Sequence, residues 1–247
     1  MKRLSNLNTS FAFLFLGLVL LVGPSVFIIK MTLNSIGLQF QYFIRMLTWT
    51  NPMGDSRFVE DWTIFYWAWW IAVGPFMGIF ITKISGGRTI KEMVLGTMFF
   101  GSFGCVLFFG ILGNYALHLE LTEQLPILDM VQTQQTPAAI AAIIDTLLPG
   151  KLILLIFGLM SVLFIATSFD STSYTLASSA TKVLETDQDP ARWQRLYWAA
   201  MLIILPIALM YVGGLDALKT AVLIAALPLA LIYILMMISL FKNLHER

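Results

Sequence analysis

Between Trp62 and Phe76 the sequence gathers aromatic faces: Trp62, Phe65, Tyr66, Trp67, Trp69 and Trp70 fall within nine residues of an apolar run. A quaternary ammonium carries a full positive charge but no N–H, so hydrogen-bond acceptors cannot grip it. Aromatic faces can, each contributing on the order of 0.5–2 kcal/mol once desolvated. At helical spacing Phe65, Trp69 and Phe76 share one stripe, with Tyr66 and Trp70 about 100° around it. The competing assignment is an aromatic belt where lipid meets water. That suits Trp62, at the expected membrane edge. It suits Trp69 and Trp70 poorly, because both lie two turns deeper.

A second stretch, Phe164 to Ser179, crowds hydroxyls into an apolar setting: Thr167, Ser168, Ser171, Thr172, Ser173, Thr175, Ser178 and Ser179. Such residues commonly bond back to the carbonyl four positions earlier, and small ones let membrane helices pack closely. Even so, Phe164, Thr167 and Ser168 stand at i, i+3 and i+4, which brings a backbone carbonyl and two hydroxyls to one face. Clustered neutral oxygens suit a hard cation such as Na⁺, by the oxygen preference known for Mg²⁺ and Ca²⁺. Three oxygens do not complete a shell, so the remainder must come from another helix. Asp170 is the one acidic residue of this stretch, and an ionisable group at membrane depth is a functional candidate. It can equally lie near the cytoplasmic end, solvated and beside the Ser171–Ser173 hydroxyls.

The elements that must position these residues are membrane helices. The chain is 58% hydrophobic and 12% charged, with a mean hydropathy of +0.83, which excludes a soluble domain. Apolar runs of crossing length recur at about 10–30, 61–83, 90–117, 150–181, 193–213 and 217–241, giving six expected spans in one domain over 1–247. The Gly74-Pro75 pair interrupts the second. Pro75 cannot donate to the Ile71 carbonyl and Gly74 permits a bend, so the helix is expected to unwind there. Unwound backbone survives at membrane depth only where protein or a water-filled cavity surrounds it. Residues 32–48 carry Leu33, Ile36, Phe40, Phe43 and Leu47 on one side, the pattern of an amphipathic helix lying in the interface. Residues 118–149 are polar, with a short helix opening at Thr136-Pro137.

The basic start MKRLSNLN precedes an apolar run without a small-residue cleavage site, so it reads as a true span rather than a signal peptide. Lys2, Arg3, Lys83, Arg88, Lys91, Lys182, Arg192, Arg195, Lys242 and Arg247 fall on one set of loops. Lys30, Arg45, Arg57, Lys151 and Lys219 fall on the other, so both termini are assigned to the cytoplasm. A net charge of +1 points to no nucleic-acid partner. The single cysteine, Cys105, excludes a disulfide framework or cysteine metal cluster. Enzymatic function is excluded on other grounds. His118 and His245 lie in a loop and the tail, no GxSxG occurs, and Asp170 has no intramembrane carboxylate partner.

FYWAWW at 65–70, followed by KISGGRTIKE at 83–92, resembles the signature of the betaine/choline/carnitine transporter (BCCT) family, whose loop reads close to I-S-R-G-R-T-I-R-E. KRLSNLN near the start, GPSVFI at 23–28, the Thr167-Ser168 pair and GGL at 213–215 are similar to family features as well. The resemblance covers essentially the whole chain. It implies an all-α integral membrane protein with the inverted-repeat, sodium-coupled (LeuT-like) fold. Family members have twelve spans; the chain resembles the last six, the second repeat plus one preceding helix.

By the same resemblance, Trp69 and Trp70 line an aromatic box for a trimethylammonium group, with Phe65 and Trp67 in or beside it. Phe164, Thr167 and Ser168 supply the second repeat's share of a Na⁺ site, and Phe76 lies near a second proposed Na⁺ position. Two departures stand out. Val73 replaces a further aromatic one turn after Trp69, and Gly86 replaces the loop's usual arginine. No cofactor is implied beyond Na⁺ as coupling ion, and carnitine exchangers that run without Na⁺ lack the second hydroxyl that Ser168 supplies.

The implied function is Na⁺-coupled symport of a quaternary-ammonium or related onium substrate, of the kind used in osmoprotection, in the bacterial inner (plasma) membrane. Na⁺ at Thr167 and Ser168 would favour the outward-open state, and rocking of the repeats would then release substrate inside. Transport is expected to require the N-terminal half. Family members are commonly trimers, with the 32–48 helix a candidate contact. The alternatives are a Na⁺-independent onium exchanger and a non-transporting membrane partner or remnant.

Overall fold

The computed structural model describes residues 2–133, 136–147, 149–181 and 189–245. Lys182 and Arg247, both used in the charge count above, lie outside them. Every regular element among the described residues is helical: α1 (Lys2–Val22), α2 (Ser25–Gln41), α3 (Phe43–Thr48), α4 (Phe65–Ile84), α5 (Ile90–Phe108), α6 (Asn114–Leu121), α7 (Ile127–Gln132), α8 (Thr136–Asp145), α9 (Gly150–Ala180) and α10 (Arg192–His245). Two π-helical turns, Val59–Ile64 and Phe109–Gly113, lead into α4 and α6. Among the described residues six stretches are long and apolar enough to cross a membrane: Leu4–Val22, Val59–Thr82, Ile90–Leu121, Gly150–Ala180, Arg192–Val212 and Ala217–Lys242.

Several expectations from the sequence are revised. The first crossing stretch ends at Val22 rather than near residue 30, because the helix breaks at Gly23-Pro24. A Cβ at Gly23 would meet the Tyr115 ring at 3.0 Å, and the Ser25 hydroxyl donates to the otherwise open Leu20 carbonyl at 2.5 Å. The 32–48 segment is divided between α2 and α3, which part at Tyr42. And the backbone does not unwind at Gly74-Pro75: α4 runs through Pro75 without interruption. A proline costs one N–H and crowds the carbonyl a turn earlier, and flanking hydrogen bonds carry the helix past it. The irregular backbone lies earlier instead, in the π turn at Val59–Ile64. His118, read as a loop residue, belongs to α6, its ring 5.0 Å from that of Phe27.

The chain gathers into two compact units: residues 1–47 with 88–168, and residues 48–87 with 169–247. The first has a buried centre of Phe15, Val19, Ile28, Tyr115, Leu119, Ile144, Leu147 and Ile153, contributed by α1, α2, α6, the α8 end and α9. Beside it the π turn at Phe109–Gly113 exposes the Gly110 carbonyl to side chains. Thr32 donates to it at 3.0 Å and Asn114 at 2.8 Å, and the Asn114 amide also reaches the Thr32 hydroxyl at 3.1 Å. These bonds replace what the widened turn gives up.

In the second unit α10 packs along α4. The Tyr233 hydroxyl occupies the space that a Cβ on Gly74 would need, and the Lys219 ammonium lies over the Phe65 ring, 5.7 Å from its centre. Both pairings advance in the same chain direction, so α4 and the 217–242 segment are parallel. Helix α10 is continuous over 54 residues, where the sequence predicts separate spans at 193–213 and 217–241. At about 1.5 Å per residue it is roughly 80 Å long, against a hydrocarbon thickness of about 30 Å. It therefore holds two crossing lengths end to end, joined through Gly213-Gly214.

Candidate functional site

The π turn delivers its last residue, Ile64, directly into α4, so Trp62 and Thr63 project from widened backbone and Phe65 onward from regular helix. Successive rings then touch. Trp62 stacks on Tyr66 with centroids 6.0 Å apart and planes 13° from parallel. Tyr66 meets Trp69 edge-on at 5.8 Å, and Trp69 leans on Trp70 at 5.9 Å. These separations are the ones aromatic pairs favour, so the rings hold one another in place along the helix.

An open hollow of about 370 Å³ lies against this surface, lined by Phe58, Trp62, Thr63, Tyr66, Trp67 and Trp70. Its lining is mainly apolar. The four expected box residues therefore divide. Trp67 and Trp70 line the hollow, each 58% exposed, so their π-faces are accessible. Trp69 is set behind them, against Tyr66 and Trp70. Phe65 is turned to the other flank, beneath Lys219. The helical wheel accounts for the division, since Phe65 and Trp69 lie on the opposite side of Tyr66 from Trp67.

Phe58, Thr63 and Lys219 did not emerge from the sequence as site residues. Phe58 extends the i, i+4 series through Trp62, Tyr66 and Trp70, and that spacing was available to find it. Lys219 was counted only as a loop charge, although it is one of two charged residues in an otherwise apolar 26-residue stretch.

In the other unit the Thr167 hydroxyl donates to the Leu163 carbonyl at 3.0 Å and to the Phe164 carbonyl at 2.9 Å. Two of the three expected cation ligands, the Phe164 carbonyl and the Thr167 oxygen, are thus in direct contact. Ser168 follows on the same helix. Among the described residues no group of three or more His, Cys, Asp or Glu side chains could hold a metal ion. Asp170 has a partner: its carboxylate accepts from the Arg195 guanidinium at 3.2 Å. The guanidinium lies over the Tyr174 ring at 5.5 Å, and the Tyr174 hydroxyl donates to Asp189 at 2.9 Å. Asp170 therefore ties the end of α9 to the start of α10.

The loop after α4 completes the recognisable stretch. Gly87 sits at φ +80°, a left-handed conformation that glycine adopts without a Cβ clash. Thr89 and Glu92 then form a reciprocal capping box that starts α5.

The whole chain, residues 1–247, matches the betaine/carnitine/choline family transporter family (BCCT). The chain belongs to this family. Among curated relatives, it is 36% identical to the uncharacterized transporter YeaV of Escherichia coli (strain K12), over 94% of this chain and 48% of the relative. It is 36% identical to a carnitine transporter of Acinetobacter baumannii, over 100% of this chain and 45% of the relative. A glycine betaine transporter of Acinetobacter baylyi is 31% identical over 99% of this chain and 36% of its own length. The chain spans about half the length, or less, of the curated relatives it matches.

Proposed function

We propose that this chain forms the onium-binding part of a secondary transporter for betaine-, choline- or carnitine-type substrates. The observation that supports this most is the hollow on α4, where Trp67 and Trp70 present accessible indole faces beside Trp62 and Tyr66. A trimethylammonium group there exchanges water for π-faces, each contributing about 0.5–2 kcal/mol. The substrate needs no covalent step; it needs a site exposed to each side of the membrane in turn.

The coupling ion is Na⁺, carried as cargo. The Phe164 carbonyl and the Thr167 and Ser168 hydroxyls are oxygens of the type it prefers, and the 2.9 Å Phe164–Thr167 contact supports their acting together. Three oxygens leave the shell open, so its remaining ligands come from outside this segment. The chain works in this reading as the C-terminal half of an inverted-repeat (LeuT-like) fold, with an N-terminal half completing the Na⁺ shell and the substrate path and a homotrimer as the assembly. The relatives' greater length is consistent with that arrangement.

The setting is a bacterial plasma membrane with both chain ends in the cytoplasm. The bias of basic residues supports this.

The test is uptake by the complete transporter. Trp70→Ala should raise the half-saturation concentration for glycine betaine by about tenfold, the loss of one desolvated cation–π contact. Replacing Na⁺ with a bulky organic cation should abolish accumulation. An unchanged half-saturation value removes the substrate site from α4. Undiminished uptake without Na⁺ assigns the protein to onium exchange instead.

A further inference from the structure

Thr63 stands near the start of the Val59–Thr82 crossing stretch and lines the α4 hollow, the one aliphatic side chain there among aromatic ones. Threonines inside membrane helices commonly return their hydroxyl to a carbonyl one turn earlier, and Thr82, Thr97, Thr167 and Thr175 all do so. Thr63 does not: among the described residues its hydroxyl has no hydrogen-bond partner. The π turn at Val59–Ile64 supplies the reason. Its wider winding does away with the α-helical relation between a side chain and the carbonyl a turn back. The Thr63 side chain is half-buried, and a hydroxyl left unpaired in apolar surroundings is costly. Rotation about its Cα–Cβ bond presents that hydroxyl to the hollow, and no competing bond holds it elsewhere.

We propose that Thr63 is a specificity-determining residue: its hydroxyl bonds the oxygen function of an onium substrate, a carboxylate above all, and so selects oxygen-bearing onium compounds over simple tetraalkylammonium ions. This rests on the assignment of the α4 hollow as the onium site. Thr63 and Trp67 line the same hollow and stand one helical turn apart, roughly 6 Å along the axis. An onium group on the Trp67 face therefore has the hydroxyl within reach of a short substituent. In glycine betaine a single methylene separates the onium nitrogen from the carboxylate carbon. Aromatic faces grip any methylated cation, so they do not tell these ligands apart; a hydrogen bond does. A hydroxyl donating to a carboxylate forms the stronger, charge-assisted kind. A site whose polar group is left unpaired rejects the ligand that lacks the matching atom.

The experiment titrates the purified complete transporter with glycine betaine and with tetramethylammonium, following tryptophan fluorescence, in the wild type, Thr63→Val and Thr63→Ser. Thr63→Val keeps the shape and removes the hydroxyl. It should raise the Kd for glycine betaine about tenfold and leave that for tetramethylammonium unchanged, which also shows that the variant is folded. Thr63→Ser should stay close to the wild type for both. An unchanged glycine betaine Kd in Thr63→Val overturns the assignment. So does an equal weakening of both ligands, since tetramethylammonium has no oxygen with which to lose a bond, and so does a Thr63→Ser that binds glycine betaine as weakly as Thr63→Val. Trp70→Ala, run beside them, tests the underlying site: an unchanged Kd for tetramethylammonium removes the onium site from the hollow, whatever Thr63 does.

Discussion

Gly110 and Gly74 are both points of close approach between helices, one in each compact unit, and they use the missing side chain differently. At Gly110 the approach is polar. A Cβ there would meet the Thr32 side chain at 2.8 Å, and the space it leaves lets Thr32 and Asn114 both donate to the Gly110 carbonyl. At Gly74 the neighbour is the Tyr233 hydroxyl, which fills the Cβ position. The first glycine makes an irregular turn affordable by opening its carbonyl to donors. The second lets α10 lie against α4 next to a proline that sequence alone would read as a helix break. The same residue type thus serves hydrogen bonding in one unit and packing in the other, and the neighbour decides which.

The comparison makes graded predictions. Gly74→Ala should have the largest effect, because the added methyl collides with a hydroxyl on a stiff ring rather than with a flexible chain end. Overpacking of this kind costs about 1–3 kcal/mol, measurable as a lowered thermal midpoint in detergent, and Tyr233→Phe should restore part of it. An unaltered midpoint would mean that α4 and α10 do not approach at Gly74.

Thr32→Val should be milder. It removes one of two donors to Gly110, and hydrogen bonds between membrane helices are worth about 0.6 kcal/mol on average and up to about 1.7. A double-mutant cycle with Asn114→Ala should give a coupling energy clearly different from zero, since both side chains serve one carbonyl. Strict additivity would separate them. Arg195→Ala should do least. Its pair with Asp170 is about a third exposed on each side, and such pairs contribute about 0–1 kcal/mol, so unfolding should shift by no more than that.

Much of the candidate site was legible before any coordinates. The density of indoles at Trp62–Trp70 is readable from residue types and spacing alone. Likewise, Phe164, Thr167 and Ser168 share a face by helical arithmetic alone. What was not legible is which flank of α4 the α10 helix takes: Lys219 lies over Phe65, while Trp67 and Trp70 are left lining the hollow. The Lys219 contact was invisible because its partner, Phe65, is more than 150 residues earlier in the chain.

The sequence by itself determined the family, the all-helical membrane character and the number of crossing lengths. Those follow from local quantities: apolar run length, helical period and a dense motif. Only the tertiary structure decided that Gly74-Pro75 stays helical, that the first crossing stops at Gly23-Pro24, and that Asp170 is held by Arg195. Each of these turns on a contact with a residue distant along the chain or on backbone bonds that compete with a local preference, and no local pattern encodes the winner.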